Sequence, residues 1–169
     1  MRTSRADEFL EFASARSGHL FRSACLLTSG DTHLAEDLVQ ETLGRMYAVW
    51  GRMARVGNPA GYAHSVLVRT FLSHRRRRSA TERPLGELPD HAPDTGEDPA
   101  LRIALLDALA GLAPKDRAVV VLRYWEDRSI EETADVMNTS SAAVRTRSTR
   151  ALATLRKRLG GSITEFAAR

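Results

Sequence analysis

Residues 79–99, SATERPLGELPDHAPDTGEDP, constrain this chain more than any other stretch, because they are poorly suited to a core. Four prolines remove backbone donors, two glycines loosen the backbone, and six carboxylates against one arginine resist burial. The 169 residues therefore divide into an N-terminal block, 1–78, a linker, 79–99, and a C-terminal block, 100–169. Charge divides the same way. The first block carries 12 basic and 7 acidic side chains, the linker 1 and 6, and the last block 12 and 8, for net charges of +5, −5 and +4. Two basic bodies around an acidic connector suit an acidic partner such as nucleic acid. Each block should bury only roughly 60% of its unfolded surface, so partner binding is expected to matter to stability.

Both blocks read as helical, which makes the chain all-α with two small helical domains joined by an acidic, proline-rich linker. Ala, Leu, Arg and Glu dominate, and the β-branched run Val119-Val120-Val121 lies inside a helical pattern. In the first block the spacing predicts helices from about Asp7 to Leu27, from a cap at Asp31 or Thr32 to Trp50, and from Pro59 to about Arg77. Gly51 to Asn58 reads as a loop between the last two. In the second block it predicts helices from Pro99 to Gly111, Pro114 to Glu126, Ser129 to Met137, and Ser140 or Ser141 to Leu159, with Gly160-Gly161 as a stop.

The last two helices carry the clearest functional signal. SIEETADVM, the turn NTSS and AAVRTRSTRALATLRKRL have helix-turn-helix spacing. Ala134 is small where the helices must cross, and Asn138 tolerates the left-handed backbone the turn needs. At 100° per residue, Val144, Ser148, Ala151 and Leu155 form a core seam. Ala142, Thr146, Thr149 and Arg150 lie opposite, with Arg145 at the margin. Such a face can meet guanine edges, thymine methyls and phosphates.

Two further faces stand out. Between Asp31 and Trp50, an apolar stripe of Ala35, Leu38, Val39, Met46, Val49 and Trp50 is opposed by Asp37, Gln40, Glu41 and Gly44. An acidic and amide patch in a basic block repels DNA and suits a basic protein surface. Between Pro59 and Arg78, Leu67, Val68, Phe71 and Leu72 form the core side. Tyr62, Ser65, Arg69, Ser73 and Arg76 lie opposite, and the run ends in four arginines. An aromatic beside cations suits single-stranded or melted nucleic acid. Each face alone also fits an ordinary solvated helix surface. Together they describe a protein that touches DNA in two places and a large protein partner in one.

On these motifs the chain resembles the extracytoplasmic-function (ECF) sigma factors of bacterial RNA polymerase, in particular their actinobacterial SigE-like branch. DTHLAEDLVQETLGRMYAVW is similar to the helix by which those factors bind core polymerase. The segment from LAGLAPKDRAVVVLRYWED to the last helix is similar to their promoter-binding C-terminal domain. The resemblance implies that 1–78 is the region 2 helical bundle and 100–169 the region 4 helix-turn-helix. It implies that Asp37, Gln40 and Glu41 meet the arginine-rich clamp helices of the β′ subunit, with the β subunit also contacted. The loop from Gly51 to Gly61, which includes Asn58, then captures a flipped base of the −10 element. The helix bearing Tyr62, Ser65, Arg69 and Arg76 lines the melted strand. Arg145, Thr146, Arg147, Thr149 and Arg150 enter the −35 major groove. Arg69 departs from the family, where many members have Asn, and the turn NTSSAA replaces a commoner glycine-containing one. The resemblance also admits an anti-sigma factor as partner and implies a monomer when free.

The residues offer no catalytic constellation. The histidines 19, 33, 64, 74 and 91 are scattered without metal-ligand spacing, and no phosphate-binding glycine loop occurs. Neither cofactor nor metal is expected. Cys25, the single cysteine, excludes an internal disulfide and sits in an apolar stretch suited to a buried thiol. The charged start is unlike a signal peptide, no apolar run reaches membrane-spanning length, and the cytoplasm is the expected compartment. Two rival readings are a helix-turn-helix regulator acting without polymerase and a protein that only sequesters a partner. The first predicts tight duplex binding alone, and the second leaves the basic face without a use.

Overall fold

The structure, a computed structural model, describes residues 2–55, 57–79 and 99–160. Residues 80–98 of the expected linker and 161–169 of the tail lie outside the described residues. Among the described residues all regular structure is helical: α1 (Arg5–Leu27), α2 (Thr32–Met53), α3 (Pro59–Ser79), α4 (Pro99–Ala110), α5 (Pro114–Val120), α6 (Ile130–Met137) and α7 (Ser141–Leu159). None of these helices is long and apolar enough to cross a membrane.

Local chemistry explains the helix ends. Ser4 and Asp7 form a reciprocal capping box, so α1 begins two residues before the expected Asp7. Asp31 caps α2 by accepting from the Leu34 amide at 3.1 Å. Helix α2 continues past Trp50 to Met53, so the expected loop opens helically through Gly51. Ser129 and Glu132 form a second capping box at α6. Asn138 ends α6 at φ 51°, ψ 53°, the left-handed conformation its short amide side chain tolerates. Ser140 then caps α7 by accepting from the Ala143 amide at 3.1 Å.

One element departs from the expected pattern. The helix from Pro114 does not stay α-helical to Glu126. Beyond Val120 it widens into a π turn over Val121–Trp125, and the Glu126 amide reaches back to the Val121 carbonyl at 2.9 Å. The widened turn ends with Trp125 and Glu126 directed at α1.

Helices α1–α3 pack on one another, and α4–α7 form the helix-turn-helix unit. The core seam expected on α7, Val144, Ser148, Ala151 and Leu155, is buried throughout. The two units also share a core. Leu20, Leu27, Leu38, Met46, Leu67 and Phe71 of the first unit form one apolar cluster with Ala118, Val121, Leu122 and Val136 of the second. The physical reason is size: neither unit alone can cover its apolar residues, and docking removes that surface from water.

Candidate nucleic-acid and partner interfaces

Helix α2 buries Ala35, Leu38, Val39, Thr42, Met46 and Trp50, which turns the opposite face outward. Asp37 and Gln40 are exposed. Glu41 is half-buried and takes an ion pair from Arg45 at 2.7 Å, one helical turn on. Two of the three predicted residues thus stand open to a partner, and the third is already engaged with a cation of its own helix.

Helix α3 is more enclosed than its pattern suggests. Asn58, at φ 76°, accepts from the Gly61 amide at 3.0 Å through Oδ1, so its side chain shapes the start of α3. A Cβ on Gly61 would approach the Asn58 side chain to 2.5 Å, which explains glycine there. Tyr62 and Arg76 are exposed. Ser65 is not on an open stripe: it is 7% exposed and accepts from Arg128 Nη1 at 3.0 Å, while Arg128 Nη2 donates to the Gly61 carbonyl at 2.6 Å. Arg69 donates from Nε to the Val136 carbonyl at 3.2 Å. The expected outward face of α3 is partly covered because the C-terminal unit docks on it.

Between α2 and α3 lies a cleft of about 410 Å³ lined by Arg45, Ala48, Val49, Tyr62, Val66 and Arg69. It places an aromatic ring and two guanidinium groups around one space, a combination suited to an unstacked base and its phosphate. In the sequence Arg45 belongs to the acidic α2 segment and carries no nucleic-acid signal. Only helix packing brings it opposite Arg69.

On α7, Arg145, Thr146, Thr149 and Arg150 are exposed and Arg147 is half-buried. Asp116, 5% exposed at the first turn of α5, joins two of them. Its Oδ1 accepts from Arg147 Nη1 at 2.9 Å and from Arg150 Nη2 at 2.9 Å, and its Oδ2 accepts from Arg150 Nε at 3.1 Å. Hydrogen bonding and then charge attraction from Asp116 raise the Arg150 pKa. The buried carboxylate holds two guanidiniums in place and leaves Arg145 as the unclamped cation of the predicted set. Thr146 and Thr149 donate their hydroxyls to the Ala142 and Arg145 carbonyls at 3.1 and 3.0 Å. With that proton used, each presents a methyl group and an acceptor oxygen, which favours a thymine methyl or a base amino group over a phosphate. Asp116 carried no sequence signal, since its partners lie 31 and 34 positions away.

The histidines are less scattered in space than in sequence. His19 of α1, His64 of α3 and Glu126 after the π turn bring ligand atoms within 4.8 Å of one another. His19 Nε2 and His64 Nδ1 lie 3.2 and 3.1 Å from Glu126 Oε1. Ser23 Oγ donates to the same oxygen at 2.5 Å and accepts from Trp125 Nε1 at 3.0 Å. Burial would raise the Glu126 pKa, but the short contacts from His64 and Ser23 and the charges of the two histidines outweigh it, leaving it at about 2. Cys25 is buried, and burial first of all pushes its thiol up to about 11, so it is a poor nucleophile.

Both units resemble known proteins. Residues 15–81 match the family model for sigma-70 region 2, and residues 102–155 match that for sigma-70, region 4. The chain is 40% identical over 153 residues to the RNA polymerase sigma-E factor of Streptomyces avermitilis, spanning 90% of this chain and 85% of that protein. It is 39% identical over 153 residues to the sigma-E factor of Streptomyces coelicolor, with 90% and 86% covered. The ECF RNA polymerase sigma factor SigG of Mycobacterium tuberculosis is 32% identical over 149 residues, with 71% of this chain and 40% of that protein covered. Among solved structures, the sigma factor RpoE in complex with the anti-sigma factor NepR from Bartonella quintana has a TM-score of 0.75 at 23% identity, covering 91% of this chain and 98% of that one, a likeness of fold.

Proposed function

Because this chain belongs to the sigma-70 family of RNA polymerase sigma factors, in its ECF group, we propose a specific division of its surfaces between polymerase and promoter. The protein binds core RNA polymerase and directs promoter-specific initiation; the polymerase performs the chemistry, and the sigma factor is not an enzyme. A duplex-binding regulator independent of polymerase does not fit that membership.

In this reading residues 1–78 and 100–169 are the two working domains, and 79–99 connects them. Asp37, Gln40 and Glu41 dock on the cationic clamp helices of β′. Asn58, Tyr62, Ser65, Arg69 and Arg76 serve the −10 element, and Arg45 joins them at the cleft. Arg145, Thr146, Arg147, Thr149 and Arg150 serve the −35 element. The protein acts in the cytoplasm, where its polymerase is, and an anti-sigma factor is a further partner of the proposed kind.

The observation that carries the reading is the charge of the outward faces. Exposed Asp37 on α2 repels DNA and attracts a basic protein, with the neutral amide of exposed Gln40 beside it to donate and accept hydrogen bonds, while exposed Arg145 and Arg150 on α7 do the reverse. Ser65 is buried under the C-terminal unit, and Arg69, though exposed, has its Nε tied to the Val136 carbonyl, so use of the whole α3 stripe requires that unit to move away. Run-off transcription with purified core polymerase tests the assignment. Asp37→Arg should abolish core binding without unfolding the chain, and a variant that transcribes normally would refute the docking face. Arg145→Ala with Arg150→Ala should weaken −35 binding across a promoter library.

A further inference from the structure

We propose that His19, His64 and Glu126 form a binding site for one zinc-class divalent ion, and that the ion latches the two units of the chain together.

The donor set is two imidazole nitrogens and one carboxylate, the mixture that suits zinc. Zinc holds such ligands at about 2.0–2.2 Å, which for tetrahedral angles separates neighbouring ligand atoms by about 3.3 Å. The contacts of Glu126 Oε1 with His19 Nε2 and His64 Nδ1, at 3.2 and 3.1 Å, already match that edge length. The three ligand atoms span at most 4.8 Å. Rotation of His19, the most exposed of the three, closes that remaining gap.

His64 is the most enclosed of the three: its side chain is 7% exposed, and its Nδ1 meets Glu126 Oε1 at 3.1 Å. Glu126 is held from behind by Ser23, itself held by Trp125, in the manner of outer-shell partners that orient metal ligands. The half-exposed His19, at 39%, leaves an entry path and room for a water as fourth ligand.

Two ligands come from the first unit and one from the second, so the complete site exists only when the units are docked. An ion that binds only the docked form favours it, by about a hundredfold when present at a hundred times its Kd. Docking is also what engages Ser65 and Arg69. Zinc should therefore oppose promoter-strand binding, a consequence that rests on the reading of α3 given above.

Titration calorimetry of the full chain with zinc chloride tests the site. One equivalent should bind, and His19→Ala and Glu126→Gln should each weaken binding at least tenfold. His19→Ala removes a half-exposed ring and is expected to fold. No saturable binding, or unchanged binding in both variants, overturns the site. The latch is tested by anisotropy of a labelled single-stranded −10 oligonucleotide. Saturating zinc should lower its affinity for the native chain and leave Glu126→Gln unaffected, and tight zinc binding without that loss overturns the latch. Zinc-free run-off transcription separates the two ideas: its absence counts against the promoter reading, whatever the calorimetry gives.

Discussion

Replacing Arg128 with alanine should open the joint between the two units. Arg128 crosses that joint with two donors, one to Ser65 Oγ and one to the Gly61 carbonyl. A hydrogen bond from a charged donor contributes about 1.5–3 kcal/mol. Because Arg128 is half-exposed and regains water on opening, about 1–1.5 kcal/mol for each bond is the better figure. The pair then stabilises the docked form by about 2–3 kcal/mol, which at a factor of ten per 1.4 kcal/mol is roughly 30- to 150-fold. The local fold should survive, since the Arg128 backbone keeps its own bonds: its amide donates to the Leu122 carbonyl at 2.9 Å, and its carbonyl accepts from Arg123 Nη1. Thiol labelling reads the opening directly. A cysteine at Val136, which is buried against the first unit, in a Cys25→Ala background reacts only when the joint opens. Labelling should accelerate by the same roughly 30- to 150-fold in Arg128→Ala, with Arg128→Lys between the two. An acceleration below about threefold, under 1 kcal/mol, would show that Arg128 does not hold the units together.

Three other outcomes follow from named contacts. Arg117, 4% exposed, donates to the carbonyls of Leu27, Leu109 and Leu112 at 2.7, 2.9 and 3.1 Å, near the C-terminal ends of α1 and α4. Arg117→Met should cost about 3–5 kcal/mol in urea unfolding, because it strands the Leu27 and Leu112 carbonyls, while Leu109 keeps its bond from the Leu112 amide at 3.0 Å. Glu126 has its pKa depressed to about 2 from an ordinary 4.5, so its contribution is complete above pH 4.5 and is lost as pH falls toward 2. That contribution is at most about 3 kcal/mol, and Glu126→Gln should flatten the acid limb of a melting-temperature profile over that window. Asn138→Ala should cost about 1 kcal/mol, or a melting temperature lower by about 2–4 °C, whereas Asn138→Gly should be nearly neutral at that left-handed position.

Much of the architecture was legible because it is local. Caps at Asp31, Ser129 and Ser140 and the left-handed stop at Asn138 are each made within a few residues, so a short window contains both partners. The seam of α7 follows from the 3.6-residue period alone. The acidic face of α2 was legible for the same reason, and two of its three residues are open as expected. The candidate α3 site was legible only in part. Periodicity showed that Ser65 and Arg69 avoid the core of their own unit; it could not show that Ser65 is covered, or that exposed Arg69 is tethered, by the C-terminal unit. Their partners, Arg128 and Val136, lie 63 and 67 positions away.

The amino-acid order by itself determined which segments become helices, which side of each is apolar, and where opposite charges are displayed, because backbone hydrogen bonding and side-chain period act over single turns. Tertiary structure alone decided that the two units dock, that Asp116 clamps Arg147 and Arg150, and that His19, His64 and Glu126 meet. Those outcomes depend on which of several apolar faces find each other, a choice made by shape and summed burial over the whole chain, and no short stretch of sequence carries it.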